Sequence, residues 1–385
     1  GSRIAAQLAN AGIPTCLLDI VPPGADATNR NAIAIAGLES AKKSKPAAFF
    51  DPSLARLVTI GNFEDDLSKL AECDWIIEAV VENLEIKRAL LKKVEAVRRP
   101  GTFITTNTSG LPVHSISQGF SDDFRRNWFG THFFNPPRYM RLLELIPAPD
   151  SGSAAMAAVA NFCDTRLGKG VVRAKDTPNF IANRIGAFNV LNVMRLMQEM
   201  DLTIEEVDAL TGTAIGLPKS ATFRTVDLVG LDILGHVVKN IQASTAAASV
   251  SGGTSTQALD ERGDLKLPDF YNQMLERKLL GDKTNGGFYR KERSAQGEER
   301  FGIDWKTLEY RPRQKAKFAS LEMAKNVETL PERVRMLIGA DGGKLDKAGQ
   351  FLWTTLTELW TYAANRIPEI ADSVVDIDRA MQLGF

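Results

Sequence analysis

Three stretches of this chain hold polar residues where their surroundings make such residues costly. The first is Gly130-Thr131-His132-Phe133-Phe134-Asn135-Pro136-Pro137. A single histidine precedes two aromatic residues and a Pro-rich turn, so it sits where a strand gives way to a loop. Open α/β sheets place their ligands at such strand ends. On this evidence alone the histidine is either structural or catalytic. The second stretch is Arg141-Leu142-Leu143-Glu144-Leu145-Ile146, in which Glu144 interrupts an apolar strand. A buried carboxylate is costly unless it is paired or hydrogen-bonded. Glu144 follows His132 by 12 residues, with the Pro-Pro turn between them, so the two can meet across the sheet end. A His–Glu pair orients an imidazole for proton abstraction from an alcohol. A salt bridge of Glu144 with Arg138 or Arg141 is the structural alternative. The third stretch is Asp176-Thr177-Pro178-Asn179-Phe180-Ile181-Ala182-Asn183-Arg184. Asn183 lies one turn inside a helix, where it either faces a cleft between domains or bonds neighbouring backbone.

A second kind of chemistry is suggested at the start of the chain. Gly1 opens a helix, and Asp19 lies 18 residues further on, at the end of the following strand. A carboxylate there reaches the hydroxyls of an adenine ribose, and the full phosphate-binding pattern is Gly-x-Gly-x-x-Gly between a strand and a helix. Gly1 reads as the third glycine, packing the helix on the sheet, with the first strand and two earlier glycines cut away. An ordinary helix–strand pair with a surface Asp is the alternative. Asp19 would repel the 2′-phosphate of NADP, and Ile20, Val21 and Pro22 follow it rather than Arg. NAD is therefore favoured.

The elements that must position these residues alternate. Gly1–Gly12 reads as a helix, Thr15–Ile20 as a strand and 28–44 as a helix ending in Lys42, Lys43 and Lys45. Strands follow at Val58–Ile60 and Trp75–Val80, a helix at Glu85–Val97, and strands at Thr102–Thr106 and Leu142–Ile146. This is the pattern of a doubly wound α/β sheet. After Asp176 the chain turns helical, over roughly 179–200, 203–214 and 227–245. The small, polar stretch 245–258 reads as a mobile loop, Lys283–Tyr289 as Gly-rich and turn-like, and 291–312 as a charged linker or insertion. A weak internal repeat relates Thr203–Gly216 to Val374–Gly384, each preceded by a long helix containing Ala-Asn-Arg, at 182–184 and 364–366. The expected division is a Rossmann-like domain over 1–174, an all-α domain over 175–290, and a linker with a partial second helical copy over 291–385.

The 385 residues carry 47 basic and 47 acidic side chains. Zero net charge argues against a nucleic-acid partner, which needs excess Lys and Arg. No apolar run is long enough for a membrane span. Cys16, Cys73 and Cys163 are odd in number and far apart, which suits a reducing cytoplasm. With His114, His132 and His236 they form no metal-ligand spacing, so no metal is expected.

Read together with Asn107-Thr108-Ser109, the three opening stretches resemble the L-3-hydroxyacyl-CoA dehydrogenase family. That family shows an Asn-Thr-Ser segment, a His-Phe-Phe-Asn-Pro segment, a Glu twelve residues after the His, and a Pro-x-Phe-Ile-x-Asn-Arg segment. Further similar segments are Val81-Glu82-Asn83 to Lys87, Ile215–Pro218, Asp227–Asp232 and Lys283–Tyr289. The resemblance spans roughly residues 1–290. The second helical copy resembles the extended, multifunctional members involved in fatty-acid β-oxidation, which join a hydratase on the same chain. The resemblance implies NAD-dependent oxidation of a 3-hydroxyacyl-CoA. It implies His132 as general base, Glu144 as its orienting partner, and Ser109 and Asn183 as hydrogen-bond donors to substrate or to His132. Glu82 and Lys87 would contact the nicotinamide ribose, with Asn107 beside them and Asp19 on the adenine ribose. Lys42 and Lys45 are candidates for the CoA phosphates, a solvated helix end being the alternative. A fused or associated enoyl-CoA hydratase and a homodimer are implied partners. Two competing classes are another two-domain hydroxy-acid dehydrogenase, which would rely on a catalytic Lys that no segment near residue 180 supplies, and a non-catalytic acyl-CoA-binding scaffold.

If Asp19 selects the adenine ribose, Asp19→Gly narrows the preference for NAD over NADP. The ratio of kcat/KM with the two cofactors measures it, and an unchanged ratio removes Asp19 from that role.

Overall fold

The computed structural model describes residues 1–250, 266–294, 297–340 and 342–384. In chain order the elements are α1 (Ser2–Asn10), β1 (Thr15–Asp19), α2 (Ala32–Lys43), β2 (Val58–Asn62), β3 (Trp75–Glu78), α3 (Leu84–Val97), β4 (Phe103–Thr106), α4 (Val113–Ile116), α5 (Asp122–Arg126), β5 (Trp128–Phe133), β6 (Leu142–Pro147), α6 (Ser153–Thr165) and β7 (Gly170–Arg173). Then come α7 (Ala182–Glu199), α8 (Ile204–Leu210), α9 (Phe223–Val229), α10 (Leu231–Val250), α11 (Asp269–Glu276), β8 (Tyr289–Ser294), β9 (Gly297–Ile303), β10 (Tyr310–Pro312), α12 (Ala319–Ala324), α13 (Leu330–Leu337), α14 (Lys347–Asn365) and α15 (Val374–Gly384). They form two compact units, Gly1–Ala182 with Ile367–Phe385, and Asn183–Arg366.

The first unit is the Rossmann-like part. β1 and β2 pair in parallel, Thr15 opposite Val58 through Asp19 opposite Asn62. A second sheet runs β3-β4-β5-β6-β7. Every residue of β5 and all but the last of β6 are buried, as expected of central strands covered on both faces. Ile4 and Leu8 of α1, with Met156, Val159 and Cys163 of α6, cover Phe129, Phe133, Leu143 and Leu145. Val94 of α3 packs with Leu70 and Ile76 in a separate cluster. The β5–β6 pair is antiparallel within an otherwise parallel sheet, and its register sets His132 directly opposite Glu144. Directly opposed residues on one face are the closest side-chain neighbours a sheet provides.

The end of the chain returns to this unit. Leu383 of α15 presses on Gly170, where an added Cβ would lie 2.2 Å from its Cδ1, and the amide of Lys175 donates to the carbonyl of Ile370 at 2.9 Å. The expected third domain, 291–385, is thus divided between the two units. The two Ala-Asn-Arg segments are not equivalent either. Ala182-Asn183-Arg184 opens α7, whereas Ala364-Asn365-Arg366 closes α14.

In the second unit, Met194, Met197, Ile204, Val207, Phe223, Tyr271, Phe288, Ile303 and Phe351 share one core. Arg184 Nε donates to the Tyr362 hydroxyl at 2.8 Å, and the Phe188 and Tyr362 rings stack at 3.8 Å, joining α7 to α14. Thr203 and Glu206 form a capping box on α8. Residues 291–312 are not a linker. They build most of an antiparallel sheet ordered β10-β9-β8, in which the charged Lys291, Glu292, Glu299 and Arg300 are exposed while Gly302 and Ile303 are buried. The stretch 245–258 begins as helix, since α10 runs to Val250, and its remainder lies outside the described residues.

Two buried carboxylates organise this unit. Asp227 accepts hydrogen bonds from the amides of Phe288 and Tyr289 at 2.8 and 2.9 Å. A Cβ on Gly287 would fall 2.1 Å from Asp227 Oδ1, and one on Gly281 2.3 Å from the Asp227 carbonyl, which accounts for glycine on both sides of the docked turn. Asp208 accepts from the Phe223 amide at 2.7 Å and the Tyr289 hydroxyl at 2.8 Å. Burial pushes Asp208 up to about 6 and Asp227 up to about 7, against the pull of those donors. A carboxyl raised in the folded state contributes stability that is complete below its ordinary value near 4 and is lost as pH rises through its folded value. The thermal midpoint should therefore fall between pH 4 and pH 7. Asp227→Asn should flatten that fall by several degrees, at ~2–4 °C per kcal/mol for a unit of this size. An identical slope in the variant assigns the pH dependence elsewhere.

Candidate active site

His132 lies one residue before the end of β5 and is buried. Its Nδ1 is 2.7 Å from Glu144 Oε2. Glu144 is fully buried, and its other oxygen accepts from the amides of Ile181 and Ala182 at 3.1 and 2.8 Å, where α7 begins. Free helix-opening amides carry partial positive charge that a carboxylate complements. Arg138 takes no part. Its Nη1 donates instead to the carbonyls of Ala47 and Phe49, each at 2.8 Å, and Arg141 is exposed. The salt-bridge alternative for Glu144 therefore does not form. A carboxylate on Nδ1 makes that nitrogen the donor and leaves a lone pair on Nε2. Among the described residues, Nε2 makes no hydrogen bond. The ring is flanked by Phe134 at 4.5 Å and Phe180 at 5.5 Å.

The turn leading into α7 is unusual. Asn179 and Phe180 hold φ of 62° and 53°, two successive non-glycine residues in the left-handed region. Such residues cost of order 1–3 kcal/mol each and persist where surroundings over-determine them. Here they present the Ile181 and Ala182 amides to Glu144 and the Phe180 ring to His132. Upstream, Asp176 accepts from the amides of Val113 and His114, each at 2.8 Å, and its Oδ2 lies 2.7 Å from His114 Nδ1, fixing α4.

The Asn107-Thr108-Ser109 loop is held from below. Asn107 Oδ1 accepts from the Phe133 amide at 2.9 Å, next to His132. Glu82 Oε1 collects the Thr108 hydroxyl at 2.5 Å and the amides of Ser109, Gly110 and Leu111 at 3.1, 2.8 and 3.2 Å. Burial pushes the Glu82 carboxyl up, but the Thr108 hydroxyl, the Lys87 charge and the loop amides outweigh it and hold it below the ordinary range. The Ser109 hydroxyl makes no hydrogen bond among the described residues.

Lys87 differs from its expected place. It is 1% exposed, and its Nζ lies 2.9 and 3.0 Å from the two oxygens of Glu78 and 3.3 Å from Glu82 Oε2. It is buried between Glu78 and Glu82. Glu78, which the sequence reading missed, also accepts from the Thr106 hydroxyl at 2.6 Å and the Val80 amide at 2.6 Å. A carboxylate closing the apolar strand Trp75–Glu78 was the available signal. Its pairing with a lysine nine residues on, in the next helix, was not.

The remaining candidates are dispersed. Asp19 ends β1, accepts from its own neighbour Ile20 at 2.8 Å, and forms no ion pair among the described residues. Gly1 caps α1, and a Cβ there would sit 3.6 Å from Leu17 Cδ1, an ordinary contact, so tight helix–sheet packing does not demand glycine. Lys42 pairs with Glu39 at 2.6 Å, while Lys45 is exposed without an ion pair among the described residues. Asn183 is the second residue of α7, half-buried, and its side chain makes no hydrogen bond among the described residues, so the helix-interior bond does not form.

A parallel-sheet unit with a carboxylate ending its second-layer strand, followed by a mainly helical unit, defines a Rossmann-type protein of the two-domain kind. Residues 1–177 match the family described as 3-hydroxyacyl-CoA dehydrogenase, NAD binding domain, and residues 180–291 its C-terminal domain. A probable 3-hydroxyacyl-CoA dehydrogenase of Deinococcus radiodurans is 46% identical over 80% of this chain and 84% of its own length. One of Bacillus subtilis is 41% identical over 100% of this chain but 48% of its own length, so the chain spans about half of that relative. The crystal structure of the dehydrogenase part of multifunctional enzyme 1 from Caenorhabditis elegans shares the fold, with a TM-score of 0.57 at 19% identity over 100% of this chain and 76% of that one. The chain belongs to the 3-hydroxyacyl-CoA dehydrogenase family. The unpaired Asp19 carboxylate and the partly exposed Glu82 are acceptors that fit the ribose hydroxyls of NAD.

Removing the charge of Glu78 would leave the buried Lys87 ammonium half-paired. Glu78→Gln should cost ~3–5 kcal/mol in denaturant unfolding, and adding Lys87→Met should recover most of it. A single variant as stable as the parent would show that the pair does not hold this region.

Proposed function

We propose that this chain catalyses NAD-dependent oxidation of (S)-3-hydroxyacyl-CoA to 3-oxoacyl-CoA, and the reverse reduction. The observation that carries this reading is the buried His132–Glu144 pair with Nε2 left free. His132 Nε2 takes the proton of the substrate 3-hydroxyl as the C3–H bond gives up its hydride. When bound, NAD supplies the acceptor for that hydride. Glu144 holds the imidazole in the tautomer with the proton on Nδ1 and stabilises the imidazolium formed, its own second oxygen being fixed by two amides. Phe134 and Phe180 keep water from the ring, so the charge forms in a dry site where the carboxylate acts strongly. In reduction the same imidazolium returns the proton to the substrate oxygen.

The Ser109 hydroxyl and the Asn183 side-chain amide, neither of which makes a hydrogen bond among the described residues, are the donors assigned to the substrate oxygens. Glu82 binds the nicotinamide ribose with Asn107 beside it, Lys87 supports Glu82 from beneath, and Asp19 binds the adenine ribose, with Gly1 at the helix start nearby. Lys45, rather than the paired Lys42, is the better placed of the two for a CoA phosphate. The reaction follows hydration of an enoyl-CoA in fatty-acid β-oxidation, so an enoyl-CoA hydratase is the natural fused or associated partner. No helix among the described residues is long and apolar enough to cross a membrane. The three cysteines are free thiols, which supports a cytoplasmic setting.

His132→Ala should lower kcat for acetoacetyl-CoA reduction ~10²–10⁴-fold, the usual worth of a positioned acid–base, with NADH affinity by fluorescence titration little changed. Near-normal turnover in the variant would remove His132 from the mechanism.

A further inference from the structure

The loop that joins β5 to β6, residues 134–141, does more than connect His132 to Glu144. It is pinned at several points. The buried Lys169 donates to the carbonyls of Pro137 and Met140, the latter at 2.8 Å. Arg3 Nη1 donates to Asn135 Oδ1 at 2.8 Å. Arg138 donates to the carbonyls of Ala47 and Phe49, tying the loop to the segment after α2. That segment is itself fixed by Asn10, which donates to the Ala48 carbonyl and accepts from the Phe50 amide, each at 2.8 Å.

On this pinned backbone stand two exposed rings. Phe50 is 63% exposed and Tyr139 47%. The Arg138 guanidinium lies 4.4 Å from the centre of the Phe50 ring and 5.1 Å from that of Tyr139. Exposed aromatic surface on rigid backbone brings no folding gain, and its ordering cost is met in advance of any ligand. An arginine between two such rings offers a flat cationic surface suited to a purine carrying phosphates. Exposed Lys45 lies five residues before Phe50 in the sequence.

We propose that Phe50, Arg138 and Tyr139 form a shelf for the adenine of the substrate's CoA, with Arg138 and Lys45 facing its phosphates. This rests on the acyl-CoA reading above and gives it a location. Arg138 and Tyr139 stand on the loop between the strands that carry His132 and Glu144. The acceptor suited to the cofactor's adenine ribose, Asp19, ends a different strand in the other sheet.

The test compares acetoacetyl-CoA with acetoacetyl-N-acetylcysteamine, which lacks the nucleotide, using the full chain and its Phe50→Ala, Tyr139→Ala and Tyr139→Phe variants. Stacking on one ring is worth ~5- to 100-fold in affinity. Each alanine variant should lower the ratio of kcat/KM for the CoA thioester over the truncated one ~5- to 50-fold, mainly through KM, and Tyr139→Phe should restore it. Calorimetric titration with CoA alone should show the same weakening. A ratio unmoved by both alanine variants, or CoA binding unmoved by them, overturns the shelf. A rise in KM for NADH instead assigns the rings to the cofactor and also overturns it. Should the parent chain turn over neither thioester yet bind CoA in a Phe50-sensitive way, the shelf stands and the oxidation reading fails.

Discussion

A carboxylate buried to the exclusion of water must find donors for both of its oxygens, and Glu144 sets that requirement at the centre of the first unit. One oxygen takes the His132 ring and the other takes two amides at the start of α7. Much of the local architecture follows from meeting this demand. The antiparallel β5–β6 pair interrupts a parallel sheet and puts the imidazole opposite the carboxylate. The left-handed backbone at Asn179 and Phe180 turns the amides inward, against the preference of Phe180 in particular. A strained turn is sustained because relaxing it would strand a charge, which costs more than two unfavourable backbone conformations.

The same logic operates at the β3 edge of the same sheet. Glu78, Lys87 and Glu82 form a chain of charge in which each member is satisfied by the next. Its last member, Glu82, gathers three consecutive loop amides and a hydroxyl, so the Ser109 loop is shaped around an anion supplied by the protein itself. Asn107 then fastens that loop to the Phe133 amide, beside His132. The Glu78–Lys87–Glu82 network is thus tied to the strand that carries His132 through the Asn107 side chain. Positioning of this kind relies on rigid supports beneath the side chains that meet a ligand.

What the sequence made legible was local. His132 and Glu144 could be paired because an out-of-place carboxylate in an apolar strand demands a partner, and the Pro-Pro turn implied an antiparallel return. The apolar runs at Trp75–Val80 and Leu142–Ile146 marked β3 and β6. The burial of Lys87 was not legible because a lysine on a helix is ordinarily solvated, and it depends on Glu78, which lies in another element. Residues 291–312 were misread because charge suggested solvent on all sides, whereas an antiparallel sheet needs only one apolar face. The resemblance to a family supplied the order of the segments, but not which side chains touch.

Two segments of similar sequence, Thr203–Gly216 and Val374–Gly384, sit in quite different surroundings. Asp208 in the first is half-buried and caps the start of α9 through the Phe223 and Arg224 amides, while Asp378 in the second is exposed. The helix around Asp208 is bound into the core of the second unit, with the Tyr289 hydroxyl as a further partner. The helix around Asp378 instead lays Leu383 and Gly384 on β7 and β6 of the first unit, on the strand that carries Glu144 and its neighbour. The burial of α15 comes from its apolar residues and its glycine rather than from its carboxylates. A Cβ at Gly384 would lie 2.5 Å from Leu142 Cδ2, two residues before Glu144, so glycine is what permits the close approach. The helix thereby serves as part of the backing for the strand on which the imidazole depends.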